Sequence, residues 1–521
     1  MKRLVLLFLI FSLTFASCGG EPFYDDITLL PADTYSSEPP VIYVPSGQSA
    51  VETFGLAYSP TGSVNPITGT SKLNNDFMRL LYDSLFTVNN EFEAVPSLCE
   101  SFEYSERTYT LGLKKGVLFS DGSELTAQDV KYTLDQVKAG SAIYSGRLSD
   151  VVNISAADEY TVKILLSREN GNFAKLLDIP IIKAGSVSET SPPGTGMYVF
   201  INGENPYLSA SEHRRTEAPL SRIQLVASPE ADLLIYNFEL GTVSALSCDP
   251  TATDAVVFGG NYEEWSYPTS IMYYLGFNTA KAPLNDPQLR RAISYAIDRE
   301  LICRADMLKH ASPAELPVSP YSSLYDKSSA DRLSFSSERF LSLLEELGMS
   351  DSDGDGIVEY TVGKRAYPFE ISLLLGTDNI YKTAVAERIA EDLRTMGVGV
   401  TLNILSWDNC RRALASRNFD IYLGEVKLTS DFNLEKLVGT NGSLNFGGYS
   451  SGETDRLLTE FIAADENSIG SAASSLFDAL YEDVPFLPIL FKEQLLMARR
   501  GFIRGASPTQ SNVYNNFENY R

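Results

Sequence analysis

Residues 369–424 read FEISLLLGTDNIYKTAVAERIAEDLRTMGVGVTLNILSWDNCRRALASRNFDIYLG. Phe369 to Leu375 alternates as a strand. Val385, Ile389, Leu393 and Met396 then recur at helical spacing, and Gly397 supplies a stop. Val398, Val400, Leu402 and Ile404 return to a period of two. Trp407 to Arg417 reads as a second helix, and Phe419, Ile421 and Leu423 as a third strand. Strands and helices in this order predict a β-α-β-α-β unit with parallel strands and right-handed crossovers. Ligands on such sheets gather at the carboxyl ends of the strands. The segment after Leu423, which runs Gly424-Glu425-Val426-Lys427-Leu428-Thr429-Ser430-Asp431-Phe432, is therefore a candidate site.

The same two periods alternate over most of the chain. Phe77, Leu80, Leu81, Ser84 and Leu85 fall on one face of a predicted helix. Tyr109, Leu111 and Leu113 alternate as a strand, as do Val162, Ile164 and Leu166; Asp121-Gly122 signals a tight turn. Thr126 and Asp129 form a capping-box pattern that opens a helix with Val130, Leu134 and Val137 inward. Asp286 before Pro287 caps another, whose expected buried stripe is Leu289, Ile293, Ile297 and Leu301. Asp351-Ser352-Asp353-Gly354-Asp355-Gly356 imitates the start of an EF-hand loop. Its twelfth position is Val362 where a bidentate Glu is needed, and Glu359 stands at the ninth. The stretch is read as a Gly/Asp turn between a helix ending near Gly348 and a strand at 357–361, and no metal site is expected.

Composition excludes several chemistries. The 521 residues carry a formal charge of −25, with 44% hydrophobic and 21% charged residues, the proportions of an ordinary globule of two or three domains. So acidic a surface disfavours nucleic acid and anionic lipid, and weakly favours cationic or zwitterionic ligands. His213 and His310 are the only histidines, so neither a His-rich metal site nor a Ser-His-Asp triad is supported. Cys99, Cys248, Cys303 and Cys410 are widely spaced, with no C-x-x-C. Free thiols are expected, and the sequence would not choose among the three possible pairings. No nucleophile–base pair is evident, so the chain is not read as an enzyme, and no cofactor is expected.

The chain opens on Met1-Lys2-Arg3, an apolar run from Leu4 to Phe15, and Ala16-Ser17-Cys18. Residues 1–17 have the build of a secretory signal, too short for a stable membrane span. Phe15-Ala16-Ser17-Cys18-Gly19 resembles the bacterial lipobox, with Phe15 where that pattern prefers Leu. The resemblance implies lipidation of Cys18, which becomes the mature N-terminus and anchors the protein to the membrane. Residues 18–49 are rich in Pro, Gly, Ser and acids and are read as a flexible tether, with Val41 to Val44 able to form a short strand instead.

Several ordered segments together resemble one family, the substrate-binding lipoproteins of peptide and nickel ABC transporters. They are Asn65 to Thr68, Leu80 to Phe86, Val95 to Leu98, Leu113 to Ser123 with Leu125 to Val130, Gly194 to Tyr198, Tyr274 to Thr279, and Leu289 to Arg299. The resemblance spans about residues 50–500. It implies an α/β, periplasmic-binding-protein-like fold of two main lobes with a third inserted, closing on a ligand by hinge motion. Lobe I would take residues 50–70, 192–270 and 487–521, lobe II 71–191 and lobe III 271–486. The implied function is an extracytoplasmic receptor that binds peptides in extended form and delivers them to an ABC permease, working as a monomer at the cell surface or in the periplasm. The alternatives are a nickel chelate or sugar as ligand, or a sensor or scaffold lipoprotein of the same fold.

The resemblance makes Asp431 the match to an acid that holds a peptide's ammonium group, and Trp407 a wall of the side-chain pockets. Glu425, Thr429 and Tyr274 complete the expected ligand-binding set. Two departures stand out. Ser244 occupies a position where the family pattern Phe-Glu-x-Gly-x-x-Asp carries an acid, and the segment after Leu423 lacks the proline that often follows the ammonium-binding acid.

Overall fold

A computed structural model describes residues 54–141, 143–255, 258, 261–377 and 379–520. The expectations for the signal segment, Cys18 and the tether with its alternative strand fall outside these residues. No helix among the described residues is long and apolar enough to cross a membrane.

The predicted β-α-β-α-β unit is present. Its strands are Glu370–Gly376, Gly399–Leu405 and Ile421–Lys427, and its helices Ile380–Thr395 and Trp407–Ala415. Glu370–Gly376 lies between the other two and runs parallel to both. Gly397 ends the first helix with φ +85°, a conformation costly for residues with a Cβ. Alternation sorts the side chains. Ile371, Leu373 and Leu375 pack with Val385, Ile389 and Leu393 of one helix layer, while Leu374 and Tyr422 face Cys410 and Leu414 of the other.

This unit is one end of an eleven-stranded sheet. Two long strands, Tyr262–Phe277 and Phe486–Arg499, pair antiparallel at its middle. Beyond them follow Ala245–Cys248, Gly55–Tyr58, Arg222–Ala227, Tyr207–Ala210 and Tyr198–Ile201. The expected lobe boundaries at 270/271 and 486/487 thus fall within or at the end of continuous paired strands, not in loops. Their register slips between Pro268 and Met272, where Thr269 Oγ1 donates to the Lys492 carbonyl at 2.7 Å. Such an irregularity bends a sheet locally.

Residues 71–191 carry a separate four-stranded antiparallel sheet, ordered Cys99–Ser105, Thr108–Leu113, Thr161–Leu166, Val151–Ala156. Tyr109, Leu111, Leu113, Val162, Ile164 and Leu166 are buried as the alternation predicts. Helix Ala127–Gly140 opens on the expected capping box, Asp129 accepting from the Thr126 N–H at 2.9 Å and hydroxyl at 2.8 Å. The apolar core here is continuous with that of the neighbouring lobe: Leu81, Tyr82 and Leu98 join Tyr198, Leu225 and Tyr514 in one cluster.

Two helix readings need correction. The helix expected through Leu85 stops early. It spans Lys72–Phe77, followed by one 3-10 turn, Met78–Leu80, and Ser84 instead bridges to Pro180. All five residues of its stripe are still buried. Asp286 does cap helix Pro287–Ala296, accepting from the Gln288 N–H at 2.9 Å. That helix ends before Ile297, however, which is extended, and Leu301 belongs to the next short turn. The Arg290 and Arg299 guanidiniums of this stretch are buried and donate to main-chain carbonyls, Arg290 to Val484 at 2.8 Å and Arg299 to Pro488 at 2.9 Å. They tie the helix to the start of the second long strand. Cys99, Cys248, Cys303 and Cys410 are all free thiols.

Candidate functional site

Helix Ile380–Thr395 begins at the carboxyl end of the middle parallel strand. Asn379 caps it, accepting from the Lys382 N–H at 2.9 Å. Lys382 falls on the helix's apolar stripe and is 4% exposed. Its ammonium group pairs with Glu425 at 3.2 Å, on strand Ile421–Lys427. Glu425 stands opposite Tyr273 in the antiparallel register, and the Lys382 Nζ lies 5.4 Å from the centre of the Tyr273 ring. Strand Phe486–Arg499 also brings in Lys492, with its Nζ 6.0 Å from the same centre. Lys492 pairs at 2.5 Å with Asp249, just past strand Ala245–Cys248. Asp249 also accepts from the N–H and hydroxyl of Thr251, both at 3.0 Å, and the Thr251 carbonyl accepts from Asn379 Nδ2 at 2.9 Å.

Groups from both sides of the two long strands therefore meet in one largely buried polar cluster. Tyr273 is fully buried and its hydroxyl has no hydrogen-bond partner among the described residues. Burial chiefly, with Glu425 and Asp249 adding, pushes its pKa well above the usual phenol range, so it stays a protonated donor.

The expected site residues divide. Glu425 enters the cluster. Trp407 opens helix Trp407–Ala415, half-buried, with its indole edge against Gly376. Thr429 and Asp431 lie on the turn beyond Lys427 and are buried, the Thr429 hydroxyl donating to the Asp431 carboxylate. That turn leans on the inserted lobe: the Phe432 ring is 5.0 Å from Phe92, and Glu435 pairs with Arg168. Tyr274 lies apart from the cluster. It packs in the core against Gly424 and Phe486, and its hydroxyl meets that of Tyr422 at 3.3 Å, on the opposite face of the strand from Tyr273. Sequence reasoning missed Tyr273, Lys382, Lys492 and Asp249. A signal existed for Lys382, an isolated cation on an otherwise apolar helical stripe; Lys492 stands beside Glu493 and Gln494 and gave none.

The Asp351 turn brings four carboxylates, Asp351, Asp353, Asp355 and Glu359, within 4.8 Å of one another, so Glu359 reaches the group from its ninth position. Each already accepts within the loop: Asp351 from Gly354 N–H at 2.8 Å, Asp353 from Asp355 N–H at 3.2 Å, Asp355 from Ile357 N–H at 2.8 Å, and Glu359 from Ser352 N–H at 2.8 Å. Ser244, in place of the family's acid, is buried and accepts from the Gly55 N–H at 2.9 Å, joining two strands.

The sequence profile of the bacterial extracellular solute-binding proteins, family 5 Middle, matches residues 93–434. The chain belongs to this family. Among curated relatives, the oligopeptide-binding protein AppA of Bacillus subtilis is 22% identical over 454 residues, covering 81% of this chain and 82% of AppA. NikZ from Campylobacter jejuni, solved with Ni(L-His), superposes with a TM-score of 0.63 at 20% identity, over 90% of this chain and 99% of NikZ. A nickel ABC transporter protein from Bacillus halodurans gives 0.74 at 17% identity, over 88% of this chain and 98% of that one. These likenesses bear out the periplasmic-binding-protein-like fold, and family membership places the protein among extracytoplasmic solute receptors.

Proposed function

We propose that this family 5 protein takes a peptide into the cleft between lobes I and III and hands it to an ABC permease. The lobe division expected from the sequence is kept, with the hinge in the two long strands. The observation that carries the reading is the junction of those lobes: polar groups of both gather near the Tyr273 ring, whose hydroxyl has no hydrogen-bond partner among the described residues. Peptide as ligand is supported by the AppA relative. Two histidines, on separate elements, favour it over a nickel ion held by imidazoles. Asp431 is the acid proposed to meet a ligand's ammonium group, with Thr429 orienting it. Trp407 is the proposed apolar wall, and Glu425 acts through its pair with Lys382. The protein performs no catalysis in this scheme.

Native mass spectrometry of the protein as purified tests the reading. Adducts of peptide mass that leave on denaturation are expected. A nickel isotope pattern would replace peptide with a chelate, and failure to retain or bind any solute would overturn the receptor assignment. A diacylglycerol chain on Cys18 is the proposed membrane anchor. Cys18→Ser should release the protein from the membrane fraction, and a variant that stays bound would contradict the anchor.

A further inference from the structure

The large sheet ends on strand Tyr198–Ile201, which pairs with Tyr207–Ala210 and with no other strand among the described residues. Register fixes which of its groups face outward. The Ser211 N–H donates to the Met197 carbonyl at 2.9 Å, so these two form a hydrogen-bonded pair. In an antiparallel ladder only every second residue bonds a given neighbour. Val199 and Ile201 therefore bond to Tyr207–Ala210, while Tyr198 and Phe200 turn their N–H and C=O groups away from it. A groove of about 190 Å³ borders this edge, lined by Tyr198, Val199, Phe200 and the segment Thr190 to Gly194. That segment does not complete the ladder. Pro192 and Pro193 have no N–H. The carbonyls of Pro192, Pro193 and Gly194 accept elsewhere, from the Tyr82 hydroxyl at 3.1 Å, the Lys183 N–H at 3.3 Å and the Ser120 N–H at 2.9 Å. An open edge is a template for another strand, and native proteins cover it.

We propose that Val41-Ile42-Tyr43-Val44 of the same chain covers this edge, pairing antiparallel with Tyr198–Ile201. β-Branched and aromatic residues suit a strand. Pro40 and Pro45 bracket the segment and limit it to four residues, the length of the strand it would cover. Topology sets the direction. Tyr198–Ile201 and Gly55–Tyr58 run the same way, since two antiparallel pairings and one parallel pairing connect them. An antiparallel newcomer thus finishes at the end of the sheet where Gly55–Tyr58 begins. The gap between them is four strand spacings, about 19 Å, and the connecting residues 45–53 can reach about 30 Å. The sheet's other edge, Gly399–Leu405, would demand seven spacings, about 34 Å, the full stretch of that connection. The pairing depends on neither the ligand nor the lipid. With the anchor proposed above, it would attach the membrane to lobe I and leave lobe III free to move.

Hydrogen exchange on the full mature chain tests the proposal. The Tyr198 and Phe200 amides should exchange at least roughly tenfold more slowly than in an Ile42→Pro/Tyr43→Pro variant. Adjacent strand residues point opposite ways, so one of the two prolines must remove a ladder donor. Thr34→Pro/Tyr35→Pro, outside the segment, should leave both amides as slow as in the wild type. Disulfide trapping checks the direction. Val41→Cys/Asn202→Cys should cross-link within one chain, and Val44→Cys/Asn202→Cys should not. Tyr198 and Phe200 amides that exchange equally fast in the wild type and the Ile42→Pro/Tyr43→Pro variant would overturn the proposal. Cross-links formed between chains would give the edge to a second copy and overturn it as well.

Discussion

Where the inserted lobe meets lobe I, Leu81, Tyr82 and Leu98 share one apolar core with Tyr198, Leu225 and Tyr514. Where lobe III meets lobe I, the groups are instead the buried Lys382 and Lys492 with their partly buried partners Glu425 and Asp249. The physical consequences differ. Separating the first pair of surfaces would return apolar area to water at about 25 cal/mol per Å², with nothing gained in exchange. At the second, each ion pair lies within one proposed lobe, and opening would expose the two nearly buried ammonium groups to water, which recovers part of their desolvation cost. In the proposed receptor scheme, the apolar junction stays shut and the polar one opens and closes. The strands Tyr262–Phe277 and Phe486–Arg499, whose register is irregular near Pro268–Met272, carry the chain across the second proposed junction.

The largest expected effect comes from the apolar junction. Phe173, fully buried in the shared core, should cost about 3–5 kcal/mol on replacement by Ala. The loss should fall on lobe I and the inserted lobe together. Urea unfolding followed by circular dichroism and by Trp265 fluorescence in a Trp407→Phe background should shift equally. A separate early transition of the inserted lobe would break the continuity of that core.

The polar junction should respond differently. Lys492→Met leaves the partly buried Asp249 without its cation and should cost about 2 kcal/mol of unfolding free energy, less than a fully buried pair would lose. Adding Asp249→Asn should recover most of that loss, because the junction gains little net stability from the pair. If the double variant stays as unstable as the single, the pair stabilises the fold outright and the contrast weakens.

A smaller effect is internal to lobe III. Asp392 is half-buried; burial raises its pKa to about 6, against opposing help from the Asp298 N–H and Arg388. A carboxyl raised above its unfolded value of about 3.9 weakens the fold when charged, so the penalty is present above pH 6 and is relieved as pH falls toward 4. Asp392→Asn should raise stability by about 1 kcal/mol at pH 8, after allowance for solvent screening, and by nothing at pH 4. Thermal melts at the two pH values check it, and a gain at pH 4 would refute the cause.

The contrast between the junctions was only half legible in the sequence. Parallel strands and helices in lobe III were readable because Ile371, Leu373 and Leu375, then Val385, Ile389 and Leu393, repeat at two clean periods over a long stretch. The helix through Leu85 was misread because buried apolar residues keep a helical spacing even where the chain has already turned, after Leu80. The cluster at Tyr273 was opaque for another reason. Lys492 and Asp249 are 243 positions apart, and no local pattern announces that pairing. Tyr273 and Tyr274 are adjacent and alike, and only the strand's register decides which one faces the cations. Asp431 was singled out by resemblance, and its turn proved to lean on the inserted lobe at Phe92.

Closure at one junction and rigidity at the other can be measured in a single experiment. Tyr236, Leu341 and Val152 are exposed, on lobe I, lobe III and the inserted lobe respectively. Each can be replaced by Cys for spin labelling, since burial raises the pKa of the native thiols, Cys99 to about 11 and Cys248 to about 12, and slows their reaction. Electron–electron distances would be recorded after the co-purified ligand is removed in urea, and again after it is restored. The Tyr236→Cys/Leu341→Cys distance should shorten and narrow on adding ligand, while the Tyr236→Cys/Val152→Cys distance stays fixed. Distances that both stay fixed, or both change, would contradict a receptor that closes across its polar junction and holds firm across its apolar one.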